Sequence, residues 1–402
     1  MRILASIAAL VLSAATLFEL AWPPFYAFPS AQPFAGEHWY QPYAGYRGGG
    51  LLANFHAHAR IWGGLTFGEV SREELFALYA ARGYDVIGIS DYMSIAPRHP
   101  GDALYLSTYE HGYTIGRHHQ TVIGAERVDW FDYPLGGSTR QKQHVIDELR
   151  PDAAFLILNH LRKAGAYTVD DLTQLTGYDA IEISSKYGLA FDYWDEALSA
   201  GRPIWGVASD DGHTQRSNPS HLGIGALVIH ADPRTPEAVL RALREGRFHS
   251  LRMRENEAPI ELLRCEIEAG ELVVRVGERA DAIRFISAHG AQRHEALGVD
   301  EARYRLADDD PYVRVEAEAH GARLLLNPVL RWDGVALPAP HAEVLALPTL
   351  AVRALGALVL ALVVRLSVRL ARGGRGTAPA PLRAPEPRPE AAQESGRSTH
   401  PS

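Results

Sequence analysis

Apolar and polar positions change texture five times along this 402-residue chain. Residues 2 to 18 are one basic residue, Arg2, and then a long apolar run that Glu19 ends; Trp22, Pro23, Pro24, Phe25 and Tyr26 follow. Such a segment serves as a signal peptide or as a signal anchor. No small-x-small cleavage pattern follows at the right distance, and the aromatic cluster has the character of an interfacial belt. Residues 1–26 therefore read as an uncleaved signal anchor or transmembrane segment. Residues 27 to 50, rich in aromatics, Pro and Gly, read as a surface linker ending in Gly48-Gly49-Gly50.

Between residues 51 and 255, short apolar runs alternate with segments of helical period. The runs Leu51–Phe55, Asp85–Ser90, Ala153–Leu158, Ala180–Ile183, Pro203–Ala208 and Leu222–Ile229 predict strands, with a further apolar run at Thr121–Gly124. Helices are predicted over Ser71–Arg82, 139–150, Val169–Leu175, Trp194–Ala200 and Pro236–Gly246. That alternation argues an α/β fold with a parallel sheet. The strands are apolar on both faces, as in a buried parallel sheet. An open doubly wound sheet would gather its chemistry at one crevice, whereas a barrel collects it from the C-terminal ends of many strands.

From Ile260 the period becomes two: Glu266–Val276 alternates around Gly270, and Ile283–Ser287 and Tyr312–Ala317 do likewise. Residues 256–340 are thus expected to form a small antiparallel β module. Val344–Val364 is apolar again, about 31 Å of helix at 1.5 Å per residue. Arg353 lies within it, at a mid-bilayer cost of about 2.5–3.5 kcal/mol, and Arg365, Arg369, Arg372 and Arg375 follow as a cytoplasmic flank. A transmembrane helix over 344–366 is expected, with an amphipathic surface helix as the alternative. Both termini then lie inside, and the body lies outside the cytoplasm, on the periplasmic or extracellular side. Residues 373–402, rich in Ala, Pro, Glu and Arg without period, predict a disordered tail.

Composition narrows the chemistry. Net charge is −8 with no basic patch in the body, so nucleic-acid binding has no electrostatic support. The single cysteine, Cys265, excludes an intrachain disulfide and Cys-based zinc sites. There are 18 histidines, so a metal must be held by His, Asp and Glu. His56 and His58 end the first strand two residues apart, which puts both imidazoles on one face. Glu110, His119, His160, Asp211 and His213 stand at other strand ends, whereas His99, His144, His230 and His249 read as surface or helix residues. Each placement alone has an ordinary structural explanation, and together they form a metal-ligating set.

These motifs, in this order, resemble the PHP (polymerase and histidinol phosphatase) domain family over roughly residues 51–250. The resemblance implies a distorted (β/α)7 barrel, followed here by the β module and the C-terminal transmembrane helix. It implies two or three divalent metal ions, Zn, Mn or Fe. The His-x-His motif corresponds to His56-Ala57-His58, and the bridging glutamate to Glu110 in Tyr109-Glu110-His111-Gly112. The later histidines correspond to His119 (with His118 adjacent) and His160, and the Asp-x-His motif to Asp211-Gly212-His213. The motif usually written Thr-Asp-His corresponds to Ser90-Asp91-Tyr92, so a tyrosine stands where the family has a metal-binding histidine. A further histidine expected between Ile61 and Val70 is missing, and both losses fall on one metal position, where His213 remains with Asp91 or Tyr92 beside it.

The expected activity is hydrolysis of a phosphate ester by a hydroxide bridged between two metals, with membrane anchoring and a small-molecule substrate. His213, His111 and Asp91 are the expected catalytic residues. Lys163 or Arg60 is a possible phosphate contact, with surface solvation as the alternative. The competing expectations are metal-dependent amide or lactone hydrolysis, or a membrane-anchored binding or sensing module with a degenerate site.

Overall fold

The computed structural model describes residues 2–213, 216–218, 221–253 and 259–373. The expected tail over 373–402 lies, from residue 374 on, outside them. Two compact units result: 2–17 with 355–373, and Phe18–Ala354.

In chain order the elements begin with α1 (Arg2–Ala21), β1 (Tyr26–Ala27), β2 (His38–Tyr40), β3 (Leu51–Asn54), α2 (Arg72–Ala80) and β4 (Val86–Ile87). They continue with β5 (Thr108–His111), β6 (Gln120–Ile123), α3 (Thr139–Leu149), β7 (Phe155–Leu158), α4 (Val169–Gln174), β8 (Ala180–Ser185) and β9 (Gly188–Leu189). Next come α5 (Phe191–Ser199), β10 (Trp205–Ala208), β11 (Gly225–Ile229), α6 (Pro236–Arg244) and β12 (Phe248–Arg252). The C-terminal third holds β13 (Leu262–Glu268), β14 (Glu271–Ser287), β15 (Ala291–Arg305), β16 (Tyr312–Ala319), β17 (Ala322–Trp332), β18 (Glu343–Val344) and α7 (Ala346–Gly373).

Local chemistry sets the helix starts. The Ser71 side chain accepts the Glu74 N–H to open α2, and Thr168 and Asp171 form a capping box on α4. Thr235 caps α6, with Pro236 in its first turn. The strands β5, β6, β7, β8 and β10 are buried throughout, and their side chains pack with Trp194, Leu198 and Leu243 into one core.

The strands assemble into a two-stranded pair β1–β18, a six-stranded sheet, ordered β10-β8-β7-β6-β5 with β9 on β8, and a ten-stranded sheet. The last runs β13-β14-β16-β17-β12-β11-β3-β4, with β15 on β14 and β2 on β17. The fold is mixed α/β, and it departs from an all-parallel sheet. Pairs β5–β6, β6–β7 and β3–β11 are antiparallel, while β3–β4, β7–β8 and β8–β10 are parallel. The link 112–119 between β5 and β6 carries no crossover helix, so these strands pair as antiparallel neighbours. Among the described residues there is no closed ring of seven alternating units, and only α2 to α6 lie between the terminal apolar helices. Isolated parallel bridges, Ala57 to Gly212 and Tyr92 to Glu110, join the two sheets beside the ligand-bearing strand ends.

Strands β13 to β17, in the segment 256–340, continue the ten-stranded sheet through β12, which the hydrophobic pattern did not predict. Arg314 on β16 ties this half to α5. Its Nε and Nη2 donate to the two carboxylate oxygens of Asp195 at 2.6 and 2.7 Å, all buried. His249 lies buried in β12, not on the surface or a helix, because its strand sits between β11 and β17.

Two helices are long and apolar enough to cross a membrane, over Leu4–Ala21 and Ala346–Leu370. Within the unit Phe18–Ala354 their body ends lie together. The Phe25 N–H donates to Thr349 Oγ1, and Arg353 donates to the Trp22 carbonyl while stacking on the Trp22 ring. Arg353, costly in lipid, thus directs Nε and Nη2 to a backbone oxygen.

Candidate metal centre

The site is built on strand ends. Asn54 Oδ1 accepts the His56 N–H at 2.8 Å, and the Gly212 carbonyl accepts the His58 N–H at 2.9 Å, which fixes the His-x-His segment against the end of β10. Glu110 lies in β5, His119 just before β6, His160 just after β7, and Asp211 and His213 just after β10. All seven expected ligands are buried and come together.

Four overlapping triads result: His56–His58–Glu110, His56–His160–Asp211, Glu110–His119–His160 and His58–Asp211–His213, each with ligand atoms within 4.8 Å of one another. Glu110 Oε1 is 3.1 Å from both His119 Nδ1 and His160 Nε2, and its Oε2 is 3.1 Å from His58 Nε2. Asp211 Oδ1 is 3.4 Å from His56 Nε2 and from His58 Nε2.

Two ligands sit in the left-handed region, His160 at φ 32° and Asp211 at φ 46°. Strained backbone of this kind persists where the surroundings dictate it, and it clusters at functional sites. Gly112 has the complementary role. At φ 127° it brings the chain so close to His119 that a Cβ would stand 2.4 Å from the ring.

Electrostatics follow from burial among opposite charges. Burial alone would push the Glu110 carboxyl up, but His56, His119 and the bonds from His119 and His160 outweigh it and hold Glu110 well below the carboxylate range. Asp211 is held low in the same way against its burial, by His56, His58 and His213. Burial opposes charge on His56, yet Asp211, Glu110 and Glu182 raise it well above the ordinary histidine value. His213 goes the other way: burial and the neighbouring His58 lower it to about 3.

The donor set fits divalent metal ions. Glu110 Oε2, both Asp211 oxygens and His56 Nε2 are buried without a hydrogen-bond partner, although Lys186 Nζ lies 3.2 Å from Asp211 Oδ2, and such converging buried acceptors suit a cation. Imidazole and carboxylate together suit Zn, Mn or Fe.

The structure also reveals a residue that sequence reasoning missed. Glu182, buried in mid-β8, accepts His56 Nδ1 at 2.9 Å and the His160 N–H at 2.6 Å, and Ser209 Oγ also donates to it. Carboxylates that hold the far nitrogen of a ligating histidine orient it and raise its basicity. The available signal was an acidic residue in the middle of a strand otherwise made of apolar and small residues.

Tyr92 stacks on His58 with ring centroids 4.4 Å apart, and its Oη is 3.1 Å from His213 Nε2. On the other side of His213, Lys186 Nζ is 3.1 Å from Nδ1 and donates to the Asp211 carbonyl at 2.7 Å. Lys163 and Lys186 both lie over the Tyr187 ring.

Two expected catalytic residues point elsewhere. Asp91 accepts Arg72 Nε at 2.6 Å and the Ala59 N–H at 2.7 Å. His111 directs Nδ1 to Gln120 Oε1 and Nε2 to the Phe131 carbonyl. His118 faces Thr114, so His119 is the histidine of that pair that joins the cluster. A cavity of about 310 Å³ lies far from this centre, where Tyr178, Asp179 and Pro203 precede β8 and β10, and it contains none of the ligands.

Compared with protein-family models, curated proteins and solved structures, the chain matches none of them.

Proposed function

We propose that this chain is a membrane-anchored, metal-dependent hydrolase of phosphate esters whose body lies outside the cytoplasm. The observation that carries the reading is the double membership of Glu110, which belongs to a triad with His56 and His58 and to another with His119 and His160. One carboxylate shared between two buried ligand sets is the layout of a paired-ion hydrolytic centre. Cations held by His56, His58, Glu110, His119, His160 and Asp211 would supply Lewis acidity, which lowers the pKa of water and offsets phosphoryl charge.

The chain's own residues do the rest. Glu182 and Ser209 hold His56 in orientation. Lys163 and Lys186 bring two positive charges to the mouth, where a phosphoryl group needs them. Burial raises the Tyr92 hydroxyl far above its ordinary value, so it keeps its proton at Oη beside His213, in position to donate to a leaving oxygen. His213, held neutral, has one donor and one acceptor nitrogen: Nδ1 faces the Asp211 carbonyl at 2.9 Å and Nε2 is left to the Tyr92 hydroxyl.

The proposal includes membership of the PHP family and a distorted seven-stranded barrel. It is supported by the run β3-β4-β5-β6-β7-β8-β10, whose gaps the Ala57–Gly212 and Tyr92–Glu110 bridges span.

The test uses the full chain in detergent. Bound metal is measured by elemental analysis, beside hydrolysis of simple phosphomonoesters and phosphodiesters with added manganese or zinc, and Asp211→Ala is the control. Bound metal with turnover that the control loses is expected. Metal without turnover on either ester favours amide hydrolysis or a sensing role, and no metal refutes the site.

A further inference from the structure

Loops that follow β3 and β5 and precede α3 carry exposed apolar side chains, two of which, Trp62 and Phe67, touch residues of this centre. Trp62, Leu65 and Phe67 follow β3, Tyr113 and Ile115 follow β5, and Trp130 and Leu135 precede α3. Leu65 is 88 %, Phe67 79 % and Ile115 74 % exposed. Soluble proteins seldom leave large apolar residues clustered in this way unless something covers them.

Contacts link these residues in both directions. At the site, the Phe67 ring meets His213 edge-on, and the Trp62 indole N–H donates to the Tyr92 carbonyl at 2.9 Å. Trp62 meets Trp130, and the Tyr113 hydroxyl donates to the Trp130 carbonyl. The Ile115 N–H donates to the Pro134 carbonyl. The Leu135 N–H donates to Glu19 Oε1, and Phe131 and Tyr133 pack on Phe18. Phe18 and Glu19 belong to the apolar span Leu4–Ala21. A chain of contacts therefore links the body end of the apolar helix Leu4–Ala21 to the exposed residues beside the metal ligands. Trp, Tyr, Leu and Phe are the residues that settle at the lipid–water boundary.

We propose that this apolar rim rests on the bilayer surface and that the centre draws its substrate from the membrane: a phosphate ester of a lipid. The second half rests on the hydrolase reading above. The acyl part stays in the bilayer against the rim, while Lys163 and Lys186 receive the anionic headgroup. In the reaction a water oxygen bonds to phosphorus and gives up one proton, the bond from phosphorus to the lipid alcohol oxygen breaks, and that oxygen takes up one proton, so that water is divided between the phosphate and the alcohol.

The test has two arms on the full chain in phosphatidylcholine vesicles. Cys265 is buried and burial raises its thiol, so an introduced cysteine is the reactive one. Environment-sensitive labels go on Leu65→Cys, Ile115→Cys and, as control, Leu297→Cys on an exposed position of β15. Lipids brominated along the acyl chain are expected to quench the first two labels several-fold more than the third. Equal quenching overturns the docking.

In the second arm, Leu65→Asp with Ile115→Asp is assayed on long-chain phosphatidate and on p-nitrophenyl phosphate. Lipid hydrolysis is expected to fall about tenfold while the soluble ester is turned over as before. Loss of neither activity, or of both alike, overturns the lipid substrate and leaves the hydrolase reading standing. If the unmodified chain cleaves neither ester, the hydrolase reading fails and the lipid substrate with it, while the quenching arm still decides whether the rim docks.

Discussion

Glu182→Gln tests whether the second layer of the site orients a metal ligand or only fills space. Glu182 presents one oxygen to His56 Nδ1 at 2.9 Å and the other to the His160 N–H at 2.6 Å. A glutamine keeps the volume but offers one acceptor and one NH2. Either rotamer sets that NH2 against a donor, His56 or His160. Leaving one buried donor unsatisfied costs about 1–3 kcal/mol of stability. The lost charge also removes one of three carboxylates that favour the charged imidazole at His56. Changes to such outer carboxylates weaken metal affinity about 10- to 100-fold, equivalent to about 1.4–2.7 kcal/mol. The assay strips the detergent-solubilised chain with a chelator, then titrates zinc back against a fluorescent competitor, with thermal melting by circular dichroism alongside. Weaker binding with a lowered melting point is expected. Unchanged zinc affinity in a folded variant would refute the idea that Glu182 serves a bound metal.

Tyr92→His puts a ring nitrogen beside His58, Asp211 and His213, so elemental analysis should show one more bound metal per chain; an unchanged ratio refutes a vacated third position. Arg314→Met leaves Asp195 buried without its guanidinium, and denaturant unfolding should show a loss of about 3–5 kcal/mol, since breaking one side of a buried pair strands a charge. His230 is lowered to about 3 by burial and by Arg247, so between that value and the unfolded value near 6.5 the unfolded chain holds the extra proton. Stability should therefore fall as pH drops below about 6.5, by up to about 1.4 kcal/mol per unit from this residue, and His230→Gln should flatten the melting profile over that range.

Much of the site was legible in the chain because its chemistry is written at strand ends, where a short apolar run stops at a His, Glu or Asp. His56, His58, Glu110, His119, His160, Asp211 and His213 were found from that pattern, and the terminal apolar helices from length and hydropathy. The elements α2, α3, α4 and α6 were legible from their helical pattern, and α2 also from the capping-type start at Ser71. Period and composition act locally, so they report what each segment can form.

The tertiary structure decided what local signals do not encode. The antiparallel direction of β5 and β6 followed from the short link between them, β6 and β7 pair antiparallel even with α3 between them, and β12 joined the β-rich third to the same sheet as β3. Whether a polar side chain serves the centre also depended on neighbours distant in sequence. Asp91 goes to Arg72 and His111 to Gln120, while Glu182, on β8 of the six-stranded sheet, meets His56 at the end of β3 of the other sheet. Buried charge must find its partner wherever packing places one, and that partner is a property of the assembled core.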